Sequence, residues 1–245
     1  MHSSEYRNIY RNEEFHFFYR ANHFLALSLL KKFSPKKPKM RILDAGCGTG
    51  LLAHRLKQFG KVEAIDISTY AVKFAKKRNI NAKIASVEKI PAKSNHFDAV
   101  VCLDVIYHQA VKNDLAALRE IYRVLKPNGI LIMRVPANKW LLRSIDKQVE
   151  TRERYNINEI KQKLKKANFK ILKISYTNFL LLPPAIASWL SEKFSKNPEA
   201  KSPLIKLPSY FNNLLSLVLI GENLLLNWID LPAGLGIIAV AQKTK

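Results

Sequence analysis

Three glycines at every second position, directly behind an apolar strand, constrain this chain more than any other feature. Residues Met40 to Ala53 read Met-Arg-Ile-Leu-Asp-Ala-Gly-Cys-Gly-Thr-Gly-Leu-Leu-Ala. Ile42 and Leu43 run into Asp44; Gly46, Gly48 and Gly50 follow; Leu51, Leu52 and Leu56 then open a helical pattern. A strand feeding a glycine-rich turn and a helix is the nucleotide-cradling unit of doubly wound α/β folds. Glycine suits the turn because the backbone must reverse tightly and approach a ligand with no Cβ in the way. The spacing narrows the ligand. A dinucleotide fingerprint needs G-x-G-x-x-G, and Leu51 stands where its third glycine would be.

The rest of the chain alternates in the same manner. Strands are expected at about 41–44, 62–65, 82–85, 97–103, 129–135 and 169–176, with helical patterns between them and a last strand from Gly236 to Ala241. Such alternation predicts a mainly parallel sheet with helices on both faces. Helical periodicity from Glu13 to Phe33 precedes Ser34-Pro-Lys-Lys-Pro38, whose prolines stop the helix. At 245 residues the chain fits one domain with a full core.

The pattern D-x-G-x-G-x-G from Asp44 to Gly50 resembles motif I of the class I S-adenosylmethionine-dependent methyltransferases. Four further segments in order, up to about residue 135, support the resemblance. Val62-Glu-Ala-Ile-Asp66 reads as a second strand ending in an acid 22 residues after Asp44. Ala85 to Pro91 is similar to the family's loop after strand three, and Phe97 to His108 to strand four and its exit. Leu118 to Met133 is similar to the helix, Lys-Pro-Asn-Gly turn and fifth strand. Glu13 to Asn22 resembles an aromatic, arginine-bearing first helix of the type 11 branch related to quinone-biosynthesis methyltransferases. Asp146 to Tyr155 and Asn158 to Phe169 resemble that branch after strand five. Ser86 stands where the branch often has Asp, and Thr151 with Glu153-Arg154 where it tends to have His and paired Arg.

The resemblance implies a Rossmann-like seven-stranded sheet, mostly parallel with the last strand antiparallel, carrying an N-terminal helix and a helical insertion. It implies S-adenosyl-L-methionine as cofactor and S-adenosyl-L-homocysteine as product. The residues it assigns to the cofactor are Arg20, Asp44, Gly46, Cys47, Gly48, Gly50, Asp66, Ile67, Ser86, Val87, Glu88 and Leu103. Asp66 would accept from both ribose hydroxyls, and Arg20 would pair with the methionine carboxylate.

Methyl transfer from a sulfonium is an in-line displacement with a good leaving group, so alignment and exclusion of water are the protein's main contribution. A general base is needed only for an acceptor protonated at working pH. His108, just past strand four, is the candidate base; as a loop histidine it would instead contact cofactor or helix. Tyr107 and Tyr19 are expected to shape the pocket. No His, Asp or Glu cluster has metal-ligand spacing. The expected acceptor is a small molecule, modified at oxygen and hydrophobic or linked to glycan or lipid. The alternatives are RNA as acceptor and a non-catalytic cofactor-binding module.

The formal charge of +22 raises the question of nucleic acid. The excess is spread along the chain, and 29 Lys outnumber 12 Arg, a balance that fits solvated helix faces better than phosphate-reading forks. The lysine run from Lys161 to Lys166 with Lys170 and Lys173 reads as such a face. Contact with anionic substrates or a membrane surface stays open. Two cysteines, Cys47 and Cys102, and no apolar leader predict a reducing cytoplasmic setting.

The organisation expected is a helical cap and linker over 1–38, a cofactor-binding core over 39–176, a lid over 177–234 and a last strand over 235–245. The lid is the anomaly, because a short connection would suffice there. Phe179-Leu-Leu-Leu-Pro-Pro opens it, a polar Lys/Pro/Ser stretch follows at 195–209, and an apolar helix is expected over 214–231. In that helix Leu214, Leu217, Leu224 and Trp228 form an apolar stripe, and Asn213, Ser216, Asn223, Asn227 and Asp230 a polar one. Read as an ordinary lid it packs on the sheet; read more sharply it forms an apolar mouth for a lipid-like substrate, lined by Leu180, Leu181 and Trp189. No run reaches the ~18 apolar residues of a transmembrane helix, and the last helix lacks Lys and Arg on its polar stripe, which argues against simple docking to anionic lipid.

Overall fold

The computed structural model describes residues 3–35, 37, 39–194 and 207–244. Two sequence expectations lie partly outside the described residues: Lys36 and Pro38 of the linker, and the polar stretch up to residue 206.

Seven strands form one sheet: β1 (Met40–Ala45), β2 (Gly60–Asp66), β3 (Asn81–Ile84), β4 (Phe97–Leu103), β5 (Leu125–Pro136), β6 (Phe169–Thr177) and β7 (Gly236–Lys243). Their order is β3-β2-β1-β4-β5-β7-β6, and β7 runs antiparallel to both neighbours. The remaining pairings are parallel. Helices cover both faces, which is why β1 and β4 are apolar almost throughout rather than alternating. On one face α2 (Phe17–Phe33), α3 (Leu51–Leu56) and α4 (Thr69–Lys77) bury Leu25, Leu29, Leu56 and Val72 against Ile42, Val101 and Ile132. On the other, α5 (Asp114–Val124) and α7 (Ile157–Lys166) bury Leu118, Ile121, Ile160 and Leu164 against Leu43, Val100 and Leu131.

The N-terminal segment departs from expectation. Instead of one helix from Glu13 there are two, α1 (Ser3–Asn12) and α2, broken at residues 13–16. The break has a cause in packing. Glu13 turns inward to the glycine loop, and the His16 ring starts α2 by accepting from Phe18 N.

The insertion contains α8 (Leu182–Phe194) and α9 (Ser209–Leu225); the short α6 (Ser144–Gln148) belongs to the segment after β5. β6 delivers the chain at the carboxyl edge of the sheet. There α8 sets Trp189 edge-on to Trp140, with ring centroids 5.6 Å apart, and Glu192 accepts from Ser144 N at 2.8 Å. α9 packs along α2.

The stripes of α9 point the opposite way from an ordinary lid. Ser216, Glu222 and Asn223 are buried, whereas Leu214, Leu217, Leu224 and Trp228 are exposed, Leu217 by 65% and Trp228 by 87%. The inner face has to serve backbone donors that no helix or strand satisfies. Asn212 Oδ1 accepts from Phe17 N in the first turn of α2, and Glu222 accepts from Phe179 N and Leu180 N. Asn223 Nδ2 donates to Ala21 O at 2.8 Å. Asn212, Ser216, Glu222 and Asn223 therefore turn inward, Asn213 and Asp230 stay exposed, and Leu214, Leu217, Leu224 and Trp228 are left outside.

Candidate active site

The glycine turn leaves the carboxyl end of β1 with Gly46, Gly48 and Gly50 at φ of 86°, 52° and 85°. Gly46 and Gly50 have packing reasons as well. A Cβ on Gly46 would lie 2.2 Å from Val105 Cγ2, and one on Gly50 would lie 2.8 Å from Ala75 Cα. Gly48 is different: among the described residues nothing lies within 4 Å of where its Cβ would be, so the turn is open at that point.

Asp66 ties the turn to β2. Its Oδ2 accepts from Gly48 N and its Oδ1 from Ser68 N, each at 2.9 Å. Each oxygen keeps a second acceptor site for another donor. Burial raises the Asp66 pKa, against the pull of those two N–H groups. Asp44 lies deeper. Burial, then the nearby Asp66 charge, pushes its pKa up to about 7, and its Oδ2 has no hydrogen-bond partner among the described residues. A buried oxygen left unpartnered is costly, and a cationic ligand group would offset that cost.

Two contacts that sequence reasoning missed clamp the turn from above. Thr49 Oγ1 donates to Glu13, which also pairs with Arg78 at 2.9 Å. The Arg78 guanidinium lies 4.4 Å from the Tyr10 ring centroid. Tyr6 of α1 stands beside Asp66 and Ser68, and burial pushes its phenol up to about 12.

The other sequence candidates are less uniform. Ile67 is half exposed beside Asp66, Leu103 ends β4, and Cys47 is buried in the turn with its thiol pKa raised by burial. Ser86 Oγ accepts from Glu88 N, while the Glu88 carboxylate accepts from Lys112 N and Asn113 N at 3.2 and 2.8 Å. Val87 is buried. Arg20 donates to Asn213 of α9 at 2.9 Å.

Comparison with known proteins reads the same architecture. A methyltransferase-domain family model matches residues 43–133. An uncharacterised Methanocaldococcus jannaschii protein is 34% identical over 196 residues, covering 75% of this chain and 80% of that one. The ubiquinone biosynthesis O-methyltransferase of Xanthomonas campestris is 36% identical over 104 residues, 39% of this chain and 43% of that enzyme, so less than half of its length is spanned. A Thermotoga maritima S-adenosylmethionine-dependent methyltransferase, described as a possible histamine N-methyltransferase, shares the fold at TM-score 0.61 and 20% identity, over 98% of this chain and 96% of that one.

The chain belongs to the class I S-adenosylmethionine-dependent methyltransferases.

The methyltransferase takes S-adenosylmethionine as cofactor, and two features here fit it. The unpartnered Asp44 oxygen suits the positive charge of its methionine end, and the open space at Gly48 lets it approach the backbone. Beyond β4 and β5 lies a second group of residues absent from the sequence expectations. Asp104, in the left-handed region at φ 58°, accepts from Arg134 Nη1 through both carboxylate oxygens at 2.6 Å. Arg134 is buried and lies 5.1 Å from the Phe18 ring centroid. A lone cation inside the run Ile130–Val135 was the available signal, since a buried arginine requires a carboxylate. The phenols of Tyr19 and Tyr107 are both held above their ordinary range, by burial first and then, among other charges, by Asp104.

His108 does not present a free base in this arrangement. Its Nδ1 accepts from Ala110 N at 3.1 Å, so the neutral ring carries its proton on Nε2, which faces Glu150 at 3.4 Å. Burial lowers its pKa, and Glu150 acts in the opposite sense. Of the residues at the branch positions after β5, Arg154 pairs with Asp146 at 3.0 Å and donates to Ala137 O, a structural use.

Proposed function

We propose that this methyltransferase transfers a methyl group to an oxygen of a small hydrophobic or lipid-linked acceptor. The observation that carries the reading is the apolar rim at the carboxyl edge. Trp140, Leu142, Phe179 and Leu180, on the chain as it leaves β5 and β6 at that edge, and Phe15 before α2, are all substantially exposed, and exposed apolar side chains on such connections suit an apolar ligand. The activity of the Xanthomonas relative, an O-methyltransferase of ubiquinone biosynthesis, supports oxygen as the receiving atom.

Bound S-adenosylmethionine supplies a methyl group on a positively charged sulfur. Asp66 would accept from both ribose hydroxyls with its remaining acceptor sites, and Asp44 would face the cationic methionine end. Gly46, Cys47, Gly48 and Gly50 would form the wall of the turn, with Ile67, Ser86, Val87 and Leu103 bounding the adenine side. Glu88 would hold that loop against residues 112–113, and Arg20 would leave Asn213 to meet the methionine carboxylate. Tyr19 and Tyr107, un-ionised, would shape a dry acceptor cavity beside the Asp104–Arg134 pair, with residues 177–234 as its cover. Transfer then rests on alignment. His108 positions the β4 exit against Glu150, and serves as a base only if its ring turns away from Ala110.

Incubating the enzyme with methyl-labelled S-adenosylmethionine and fractionated cell extract tests the proposal. Label in the organic-solvent fraction is expected; label confined to aqueous small molecules would overturn it. One observation favours RNA as a second reading: a groove between α1 and α4 lined by Arg7, Arg11, Lys73 and Lys77 with Tyr10, Tyr70 and Phe74. Label in the RNA fraction would select that reading.

A further inference from the structure

We infer that the outward face of α9 docks the enzyme on an anionic lipid bilayer. The face consists of Tyr210, Phe211, Leu214, Leu217, Val218 and Leu224, with Trp228 in the turn just after the helix, all exposed and covered by no described element. Phe179 and Leu180, also exposed, lie beside the inner side of α9, where Glu222 accepts from their backbone N–H groups. An apolar surface of this extent is rare on a protein that meets only water. The helix is not an ordinary amphipathic one turned outward by chance, since Asn212, Glu222 and Asn223 on its inner side hydrogen-bond to α2 and to the residues before α8. No described helix is long and apolar enough to cross a membrane, so α9 would lie in the interface plane.

Charge selects the occupant. The carboxylates near the face are engaged: Glu222 with Phe179 and Leu180, Glu192 with Ser144 N, Asp230 with Lys173. α9 itself carries no Lys or Arg; the cation at the margin of the face is Lys32 of α2, 5.6 Å from the Trp228 ring centroid. An apolar patch with a cationic margin is the pair of signals that stable interfacial binding needs. A second copy of the chain is a poor occupant, because each copy carries +22 and the two would repel. Docking here would present the apolar rim of the acceptor side to the bilayer, a consequence that rests on the proposed function, whereas the docking itself does not.

The test is flotation of the full chain with vesicles of phosphatidylcholine alone and with about 30 mol% phosphatidylglycerol, for wild type and for the double variant Leu217→Asn, Leu224→Asn. Both positions are exposed, so the variant should fold, and its S-adenosylmethionine affinity serves as the control. Wild type should float with the anionic vesicles, and the variant should lose roughly tenfold or more of that partitioning with cofactor affinity unchanged. Equal flotation of the two proteins would overturn the proposal, because lysines alone would then explain binding. So would absence of wild-type binding, or a wild-type dimer that the double substitution dissociates.

Discussion

α7 and α9 are both amphipathic, and they face in opposite directions. α7 buries Ile160 and Leu164 and leaves Lys161, Lys165 and Lys166 in solvent. α9 buries Ser216, Glu222 and Asn223 with Leu219, and leaves Leu214, Leu217 and Leu224 outside. The difference lies in what each helix is packed against. α7 meets a completed sheet whose backbone groups are already paired, so apolar contact is all that is left to gain. α9 meets the first turn of α2 and the start of α8, where N–H groups lack partners. Hydrogen-bonding demand, not the hydrophobic pattern, set its orientation.

Truncation should separate the two helices most clearly. Leu164→Ala in α7 should cost about 2–5 kcal/mol of stability, the range for a buried leucine. Glu222→Ala should cost about 1–3 kcal/mol, because two N–H groups lose their acceptor. Leu217→Ala in α9 should stay within about 0.5 kcal/mol. Denaturant unfolding measures all three, and a Leu217→Ala loss as large as that of Leu164→Ala would show that the outward face of α9 is covered.

The cofactor region also lends itself to a pH experiment. With its pKa pushed up to about 7, Asp44 is partly protonated in the free enzyme at neutral pH and largely so below it. A cationic ligand group favours the ionised form, so binding below that pH releases a proton. Cofactor affinity should therefore rise with pH, by at most about tenfold per pH unit, and level off above neutrality. Asp44→Asn should flatten the profile. The sign for stability is opposite: a carboxyl pKa raised in the folded state makes the free enzyme less stable as pH climbs from about 4 to about 7.

Much of this was legible in the sequence, and the remainder was not for identifiable reasons. The strands from β1 to β7 were readable because apolar runs bounded by glycine and asparagine have few other ways to pair. The turn from Asp44 to Gly50 and the acid at Asp66 were readable because their spacing is fixed by local backbone geometry. Glu13 with Thr49, and Asp104 with Arg134, join residues at least 30 positions apart, and a single chain gives no sign of which charges will meet. The direction of α9 was hidden for the same reason, since its polar stripe is matched to backbone atoms far away in sequence. The partners of the His108 ring were not legible either, since position alone does not show that its nitrogens face Ala110 and Glu150. His108→Ala is accordingly expected to lower kcat by less than about tenfold, below the usual contribution of a general base.

The measurement that bears most directly on the central claim is calorimetry of S-adenosylmethionine binding to wild type and to Asp66→Ala. If the carboxylate that bonds Gly48 N and Ser68 N also receives the ribose hydroxyls, the variant should bind more weakly by about 1.5–3 kcal/mol, the scale for hydrogen bonds to a charged group. A folded Asp66→Ala protein with unchanged affinity would contradict the account.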